Sequence, residues 1–352
     1  MTRQAAAASE VCVGIIANPV SARDIRRVVA NASNLQIAER VSIVLRLLST
    51  LKSLGVGRVL LMPDKAGLRA LLQRHLQRGG PEGDAFPAVE FLDMPVTSTV
   101  EDTFEAARRM RAAGVRALVV LGGDGTHRAV VRECADVPIA GLSTGTNNAF
   151  PELREPTLVA MAVALLATGR VPAEEALAGN KLLEVEIGDG RRRDIALVDA
   201  VISTERCIGA RALWRTGQLA AAYLTFADPC AIGLSAIGAL LQPVGRREPH
   251  GLAVRLAPEG APARLALQAP IAPGMLREVR VAGWEPMAPG EPFDVEHAGG
   301  VVALDGEREL PFDPGERVRL TLRANAFPTV DVERCLQFAA VHGLFHRSAS
   351  NL

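Results

Sequence analysis

The sequence is poor in aromatic residues, because phenylalanine, tryptophan and tyrosine together make up only 4% of its 352 residues. Proteins that bind single-stranded nucleic acid stack bases on aromatic side chains, so a surface of that kind is excluded. The chain also lacks a charge excess, since 39 basic side chains balance 39 acidic ones. Neither nucleic acid nor a membrane surface is therefore expected to bind through net charge.

Cysteines are few, and none of the five lies in a Cys-x-x-Cys pair. The absence of that spacing argues against a zinc or redox site and favours reduced thiols in a cytoplasmic protein. We also expect no signal peptide, because the first residues carry no apolar leader. The most apolar stretch, residues 219–241, contains Asp228, Pro229 and Gly233. These breakers predict a buried strand–turn–strand or a core helix rather than a membrane span.

The first half of the chain alternates short apolar runs with amphipathic stretches. This rhythm predicts an α/β domain, a doubly wound parallel sheet with helices on both faces. From residue 181 the runs are short, alternating and separated by Pro and Gly, which predicts a β-rich, sandwich-like domain. Within it, residues 182–187 and 194–202 are expected to form the two strands of a hairpin. The segment 332–346 has helical spacing, and we expect it to return to the first domain. The predicted domains are residues 1–170, with 325–352 packing back onto them, and residues 171–324.

Residues 121–127, Leu-Gly-Gly-Asp-Gly-Thr-His, directly follow a predicted buried strand, and a helix is predicted to begin at Thr126. Backbone N–H groups and the positive end of a helix dipole meet there, which makes an anion site. The glycines let phosphates approach the backbone, and a capping threonine can donate to a phosphate. The aspartate is expected to accept a proton from an attacking hydroxyl or to hold magnesium. The alternative is a tight strand-to-helix turn without a ligand. The residues assigned here are Asp124 as the catalytic group and Gly122, Gly123, Gly125 and Thr126 as nucleotide contacts.

Two further polar segments follow predicted strands. The first, at 18–23, predicts a phosphate loop through Asn18 and Ser21, and its alternative is an ordinary turn. The second, at 145–150, places Thr146, Asn147 and Asn148 one β–α unit after the glycine-rich motif. Ligands of parallel sheets lie beyond the carboxyl ends of the strands, so these residues are expected to line the same cleft. Asn and Gly also favour turns, which leaves an ordinary loop open.

Together, the Asn-Pro pair, the Gly-Gly-Asp-Gly-Thr motif and the Gly-Thr-Asn-Asn motif resemble the superfamily of NAD kinases and of diacylglycerol or sphingosine kinases. Residues 15–19 and 24–27 and the chain length resemble its AcoX-type branch, ATP-NAD kinase-like proteins associated with acetoin catabolism. The resemblance implies an α/β nucleotide domain followed by a β-rich domain. It also implies ATP and Mg²⁺ as cofactors.

Two later segments match different members of that superfamily. NAD kinases bind the NAD adenosine with an Asn-Asp or Asn-Glu pair; here Asp199 is kept, and Val198 stands in place of the asparagine. Lipid kinases carry Asp-Gly-Glu late in the chain, which 305–307 resembles. The resemblance implies that Asp199 contacts the nucleotide and that Asp305 and Glu307 are metal-linked. A simple β-turn is the alternative for 305–307.

These observations predict an ATP-dependent phosphotransferase with a small-molecule acceptor. The resemblance makes NAD⁺ the leading acceptor, whose 2′-hydroxyl would be phosphorylated to give NADP⁺. The alternative in the same class is a kinase of a lipid or small polyol linked to acetoin metabolism. A nucleotide-binding regulatory protein without turnover is the alternative from another class, whereas a dehydrogenase is disfavoured because no Gly-x-Gly-x-x-Gly follows the first strand. We expect a cytoplasmic homo-oligomer that binds no nucleic acid and has no membrane span.

Overall fold

The fold was obtained as a computed structural model. It describes residues 10–19, 35–77, 85–144, 148–204, 216–258, 260–295, 297, 299–306 and 308–346. In the first half, strands and helices alternate as β1 (Cys12–Ala17), α1 (Ile37–Ser53), β2 (Arg58–Leu61), α2 (Leu68–Gln77), β3 (Ala88–Phe91), α3 (Val100–Ala112), β4 (Leu118–Gly122), α4 (Asp124–Cys134), β5 (Ile139–Ser143) and α5 (Pro156–Ala167).

The second half consists mainly of strands. Its elements are α6 (Ala173–Ala176), β6 (Leu177–Ile187), β7 (Arg192–Ala196), β8 (Asp199–Ser203), β9 (Leu219–Leu224), α7 (Ser235–Ala239), β10 (Gly251–Leu256), β11 (Leu265–Ala272), β12 (Met275–Met287), β13 (Pro292–Asp294), β14 (Gly300–Leu304), β15 (Arg308–Phe312), β16 (Val318–Val330) and α8 (Val332–Val341). Within the described ranges, no helix combines the length and the apolar character needed to cross a membrane.

A parallel sheet forms the first layer, with strand order β3-β2-β1-β4-β5. Ile15 of β1 lies opposite Leu61 of β2 and Val119 of β4, so neighbouring strands end at the same edge. Successive side chains of a strand point to opposite faces. Ile15 therefore packs beneath α1, α5 and α8, while Ile16 packs beneath α3 and α4. This alternation explains why the strands are apolar on both faces.

The same sheet continues into the second half of the chain, because β16, β6 and β7 follow β5 in the strand order. A second, antiparallel sheet has the order β11-β12-β10-β9-β8-β14-β15. Buried residues of β6 and β16 pack against those of β8 and β14 in one apolar layer between the sheets. The chain is thus a mixed α/β protein with a parallel-sheet domain and an antiparallel β-rich second domain, as its sequence predicted.

The final helix returns to the first domain, which confirms that part of the predicted fold. Val332, Cys335 and Ala339 of α8 belong to the apolar core formed by α1 and α5. The Cys335 thiol also lies 3.6 Å from the carbonyl oxygen of Ala162 in α5. The division at residue 170 stays a prediction, since the first sheet takes strands from both sides of it.

One predicted strand is divided in two. Residues 194–202 were expected to form a single strand, but β7 ends at Ala196 in the first sheet and β8 begins at Asp199 in the second. All of β8 is buried, and β7 is buried at Asp194 and Ala196, so the apolar run continues across the break and does not reveal it. The prediction was wrong because the turn at Leu197 and Val198 is held by a residue distant in sequence, described below.

Candidate functional site

The glycine loop, defined here as residues 122–126, joins the end of β4 to the start of α4. The helix begins at Asp124 with Gly123 as its N-cap, two residues earlier than the predicted start at Thr126. A Cβ atom on Gly122 would lie 2.5 Å from the Cβ atom of Thr126, and one on Gly123 would lie 2.8 Å from Oδ1 of Asn148. These glycines are therefore required by the close approach of neighbouring side chains.

The predicted cap at Thr126 is corrected by this geometry. The Thr126 hydroxyl does not cap the helix but accepts a hydrogen bond from Nδ2 of Asn18 at 3.0 Å. The buried Arg40 donates from Nη1 to the Asn18 carbonyl oxygen at 2.6 Å. Two segments that the sequence placed in one cleft, the end of β1 and the glycine loop, are thus in direct contact.

A cavity of about 560 Å³ lies over the carboxyl ends of β1, β2 and β4. Gly123, Gly125 and Thr126 line it, beside Asn18 and Pro19 from the end of β1. The first-turn N–H groups of a helix lack intrahelical acceptors and carry the positive end of its dipole. This cavity therefore combines a helix N-terminus with a backbone that an anion can approach closely.

Charged side chains surround the same cavity. Among the described residues that line it, the cations are Lys65, Arg128, Arg132 and Arg308, and the carboxylates are Asp64, Asp102, Asp194 and Glu309.

Three of these carboxylates already accept hydrogen bonds or ion pairs from the protein. Asp64 accepts from the backbone N–H groups at the start of α2, at 2.6 and 3.1 Å. Asp102 accepts from the N–H and hydroxyl groups of the turn before α3, at 2.7–2.8 Å. Asp194 pairs with Arg308 and lies 3.6 Å from Arg132. An anion in the cavity would thus meet cations beside carboxylates whose oxygens already accept hydrogen bonds or an ion pair from the protein.

A narrower crevice lies on the other side of the glycine loop, and Asp124 lines this crevice rather than the larger cavity. Val198, Asp199, Ser235 and Asp305 lie around it. Its free volume is about 30 Å³, which suits a hydroxyl-sized group. The glycine loop therefore separates two spaces, with its glycines facing one and its carboxylate facing the other.

The orientation of Asp124 is determined by the loop that follows β5. Its two carboxylate oxygens accept from the backbone N–H groups of Ala149 and Phe150, at 3.0 and 2.8 Å. The residue is 7% exposed. These bonds fix the orientation of the side chain beside the crevice.

Asp305 has a different environment, because its side chain is fully buried. It accepts from the backbone N–H groups of Leu197 and Val198 at 3.0 and 2.8 Å, and Arg128 lies 3.8 Å away. Burial raises the pKa of Asp305, while Arg128 and the backbone amides oppose that rise. These contacts hold the turn between β7 and β8.

The fit of magnesium to this site is limited. The Asp305 carboxylate already accepts hydrogen bonds from backbone amides. The described residues also contain no group of three or more His, Cys, Asp or Glu side chains arranged to hold a metal. The metal roles of Asp305 and Glu307 stay predictions, and Glu307 lies outside the described residues. Mg²⁺ is commonly bound through substrate phosphates with few protein carboxylates, so it would be held chiefly by a nucleotide.

The other residues predicted to contact the nucleotide lie in different parts of the site. Asn148 packs on Gly123 and donates from Nδ2 to the Ser143 hydroxyl at 2.8 Å. Asp199 lines the crevice beside Asp124. Their nucleotide-binding roles stay predictions, as do those of Gly122, Gly123, Gly125, Thr126 and Asn18. Ser21, Thr146 and Asn147 lie outside the described residues.

Sequence reasoning missed Arg128. It lies four residues after Asp124, and its guanidinium donates to the Leu304 carbonyl oxygen at 3.0 Å, so it links α4 to the second sheet at the wall of the cavity. Residues four apart share a helix face, and that spacing was the available signal.

The chain is similar to the acetoin catabolism protein X of Cupriavidus necator. The two chains are 61% identical over 335 residues, which is 94% of this chain and 93% of the relative. The chain belongs to the acetoin catabolism protein X family. Residues 13–171 match the ATP-NAD kinase N-terminal domain, and residues 181–325 match the acetoin catabolism protein X C-terminal domain. A kinase-type domain therefore carries the glycine loop.

The solved structures that were compared with this chain are more distant from it in sequence than the Cupriavidus necator relative. Yeast NADH kinase complexed with NADH is 13% identical with a TM-score of 0.47, over 97% of this chain and 89% of that chain. A candidate diacylglycerol kinase from Bacillus anthracis str. Sterne is 12% identical with a TM-score of 0.45, over 91% of this chain and 96% of that chain.

Proposed function

We propose that this protein transfers the γ-phosphoryl group of ATP to a hydroxyl group of a small-molecule acceptor. The observation that carries the proposal is the position of the glycine loop between two spaces. Its glycines and helix N-terminus face a large cavity with cationic walls, whereas its aspartate faces the crevice on the other side. Phosphoryl transfer requires a donor and an acceptor on opposite sides of the transferred group.

The large cavity is the proposed donor site. Gly123 and Gly125 would face the phosphates, and Arg128 and Lys65 would neutralise their charge. Asn18 and Thr126, joined by a hydrogen bond, would present their polar groups at the same place. Charge neutralisation and positioning supply most of the catalysis in phosphoryl transfer. Magnesium would contribute further neutralisation when it is bound with the nucleotide.

Asp124 is the proposed general base. Its carboxylate, held by the Ala149 and Phe150 amides, would accept the proton of the acceptor hydroxyl in the crevice. The hydroxyl oxygen forms the new bond to phosphorus, the bond to the bridging oxygen breaks, and ADP leaves. Positioning Asp124 by backbone amides keeps it in one rotamer before the acceptor arrives.

The proposed acceptor is NAD⁺, through its 2′-hydroxyl, which would give NADP⁺. The match of residues 13–171 to an ATP-NAD kinase domain and the position of Asp199 beside Asp124 support it. A lipid or small polyol linked to acetoin metabolism is the second candidate acceptor. The name of the Cupriavidus necator relative and the Val198 substitution at the crevice favour that candidate.

A nucleotide-binding regulatory protein is the candidate from another class. It is favoured by the contacts of Asp124, since a carboxylate that joins two loops has a structural reason to be there. An assay of the purified protein with MgATP and NAD⁺, diacylglycerol or acetoin-like diols separates the candidates. Phosphorylation of one acceptor identifies it; nucleotide protection against thermal unfolding without any phosphorylation would favour the regulator.

Asp124→Asn tests the proposed base. We expect turnover to fall by at least about 100-fold, because the amide cannot accept the proton. The amide oxygen still accepts from a backbone N–H group, so protection by ATP against thermal unfolding should remain. Asp136→Asn, at an exposed position just after the far end of α4, is the matched control. Turnover by Asp124→Asn equal to that of the control would contradict the assigned role.

A further inference from the structure

Arg246 comes from the second domain, in the segment between α7 and β10, and the guanidinium of this half-buried residue lies against two aromatic rings. The guanidinium carbon lies 4.3 Å from the ring centre of Phe226 and 5.7 Å from that of Phe150. A guanidinium stacks on aromatic faces and is more weakly hydrated than an ammonium group, which makes arginine suitable for such a position.

The same guanidinium donates to two consecutive backbone carbonyl groups. Nη1 donates to the Phe150 oxygen at 2.8 Å, and Nη2 donates to the Ala149 oxygen. The N–H groups of these same two residues donate to Asp124. The Ala149 and Phe150 backbone is thus held on one side by an arginine of the second domain and on the other by the aspartate of the glycine loop.

We propose that Arg246 is a positioning residue that fixes Asp124 through the 149–150 backbone. This inference rests on the proposed function, because it assigns Arg246 a part in the same phosphoryl transfer. Arg246 lines neither the cavity over the glycine loop nor the crevice at Asp124, so it acts on Asp124 through the loop and through the attraction between their opposite charges. The second domain thereby controls the base of the first.

The physical basis is the number of contacts that depend on one guanidinium. Its planar fork donates in two parallel directions, which a lysine cannot reproduce with a single ammonium group. Without it, two carbonyl groups at the domain junction lose their donors, and the loop gains freedom to move away from Asp124. Asp124 then loses the two N–H groups that hold its rotamer, and the base is displaced from the acceptor hydroxyl.

The kinetic test uses Arg246→Lys and Arg246→Gln in the full chain. We expect kcat to fall roughly 100-fold with the KM for ATP unchanged, as for a small displacement of a catalytic group. Arg247→Gln is the matched control. Arg247 is the exposed neighbour of Arg246 in the sequence, and it pairs with Asp331 rather than with the loop. Combining Arg246→Lys with Asp124→Asn should add no further loss, because both changes remove one function. Additive losses, or wild-type kcat in Arg246→Lys, would overturn the proposal.

A second measurement does not depend on turnover. Backbone amide exchange of the peptide containing residues 148–153 should accelerate at least 10-fold in both Arg246 variants and stay unchanged in Arg247→Gln. Unchanged exchange in Arg246→Lys overturns the positioning role even if activity falls. If the wild-type protein phosphorylates no acceptor, the kinase proposal fails by itself, and the exchange result still decides whether Arg246 holds the loop.

Discussion

At the residue scale, Asp124 and Asp305 show how similar contacts can have different consequences. Both aspartates accept hydrogen bonds from backbone N–H groups of a distant loop. Both aspartates line the crevice, but the Asp305 side chain has no exposure and lies 3.8 Å from Arg128. The sequence assigned chemistry to Asp124 through its glycine-rich motif and to Asp305 through the resemblance to lipid kinases. The complete enclosure of the Asp305 side chain, which depends on the packing of the two domains, is the reason that the proposed base is Asp124.

His127 permits a prediction about pH. It is fully buried, its Nδ1 lies 2.9 Å from the Gly123 carbonyl oxygen, and its Nε2 has no hydrogen-bond partner among the described residues. Desolvation lowers the pKa of His127 to about 4 from the ordinary value of 6.5. Below pH 6.5 the unfolded chain binds a proton that the folded protein excludes, so stability falls as the pH falls towards 4. We expect a loss of about 2 kcal/mol between pH 7 and pH 5.

Urea unfolding at both pH values measures this loss, and His127→Asn is the control. The asparagine amide can still donate to the Gly123 carbonyl oxygen but does not titrate. The variant should therefore lose about 2 kcal/mol less than the wild-type protein over the same pH interval. An equal loss in both proteins would show that other groups cause the pH dependence.

At the element scale, the division of residues 192–203 into β7 and β8 determines which sheet each part joins. Asp305, with a φ angle of 49°, accepts the N–H groups of Leu197 and Val198 at the break. The crossing brings Asp199 to the crevice beside Asp124. A strand that passes from one sheet to another thus depends on a single carboxylate contributed 106 residues later in the chain.

Substitution of Asp305 tests this dependence. We expect Asp305→Ala to lower the free energy of unfolding by about 3 kcal/mol or more, because each unsatisfied buried N–H group costs about 1–3 kcal/mol. Asp305→Asn should lose less, since asparagine tolerates positive φ and its oxygen still accepts. Urea unfolding measures both. If Asp305→Ala cost under 1 kcal/mol while Asp305→Asn changed the Mg²⁺ dependence of turnover, the predicted metal role would be favoured instead.

At the scale of the whole molecule, the parallel sheet is completed by residues from the end of the chain. β16 joins the edge of β5, with Thr329 opposite Ile139, and α8 then covers the core of α1 and α5. The predicted return of the last helix depended only on its apolar spacing. The sheet contribution of β16 was not foreseen, because strand order is a property of non-local pairing.

Removal of α8 tests how far the first domain depends on it. A chain ending at Asp331 would uncover the surface beneath Val332, Cys335 and Ala339, which are all buried. We expect stability to fall by about 3 kcal/mol or more, from the loss of apolar burial. Thermal unfolding measures the change, with a chain ending at His346 as the control because it keeps the whole helix. Equal midpoints for the two truncated chains would contradict the structural role of α8.

The sequence by itself determined the local elements of the first half and the place of the glycine loop between a strand and a helix. It could do so because apolar periodicity and turn residues act within a few positions of the chain. The meeting of Asn18 with Thr126 was also predictable, since parallel strands end at one edge of a sheet. Asp199 was found only through a motif, and its closeness to Asp124 requires the fold.

Only the tertiary structure decided what each polar group faces. Several features join residues that are far apart in sequence. They are the break after β7, the burial of Asp305, the contact of Arg128 with the second sheet, and the hydrogen bonds from Arg246 to the 149–150 backbone. Such contacts depend on the docking of two sheets, which no local pattern encodes. The residues of the glycine loop alone predicted an anion site. Packing determines that the carboxylate of this loop faces away from the large cavity.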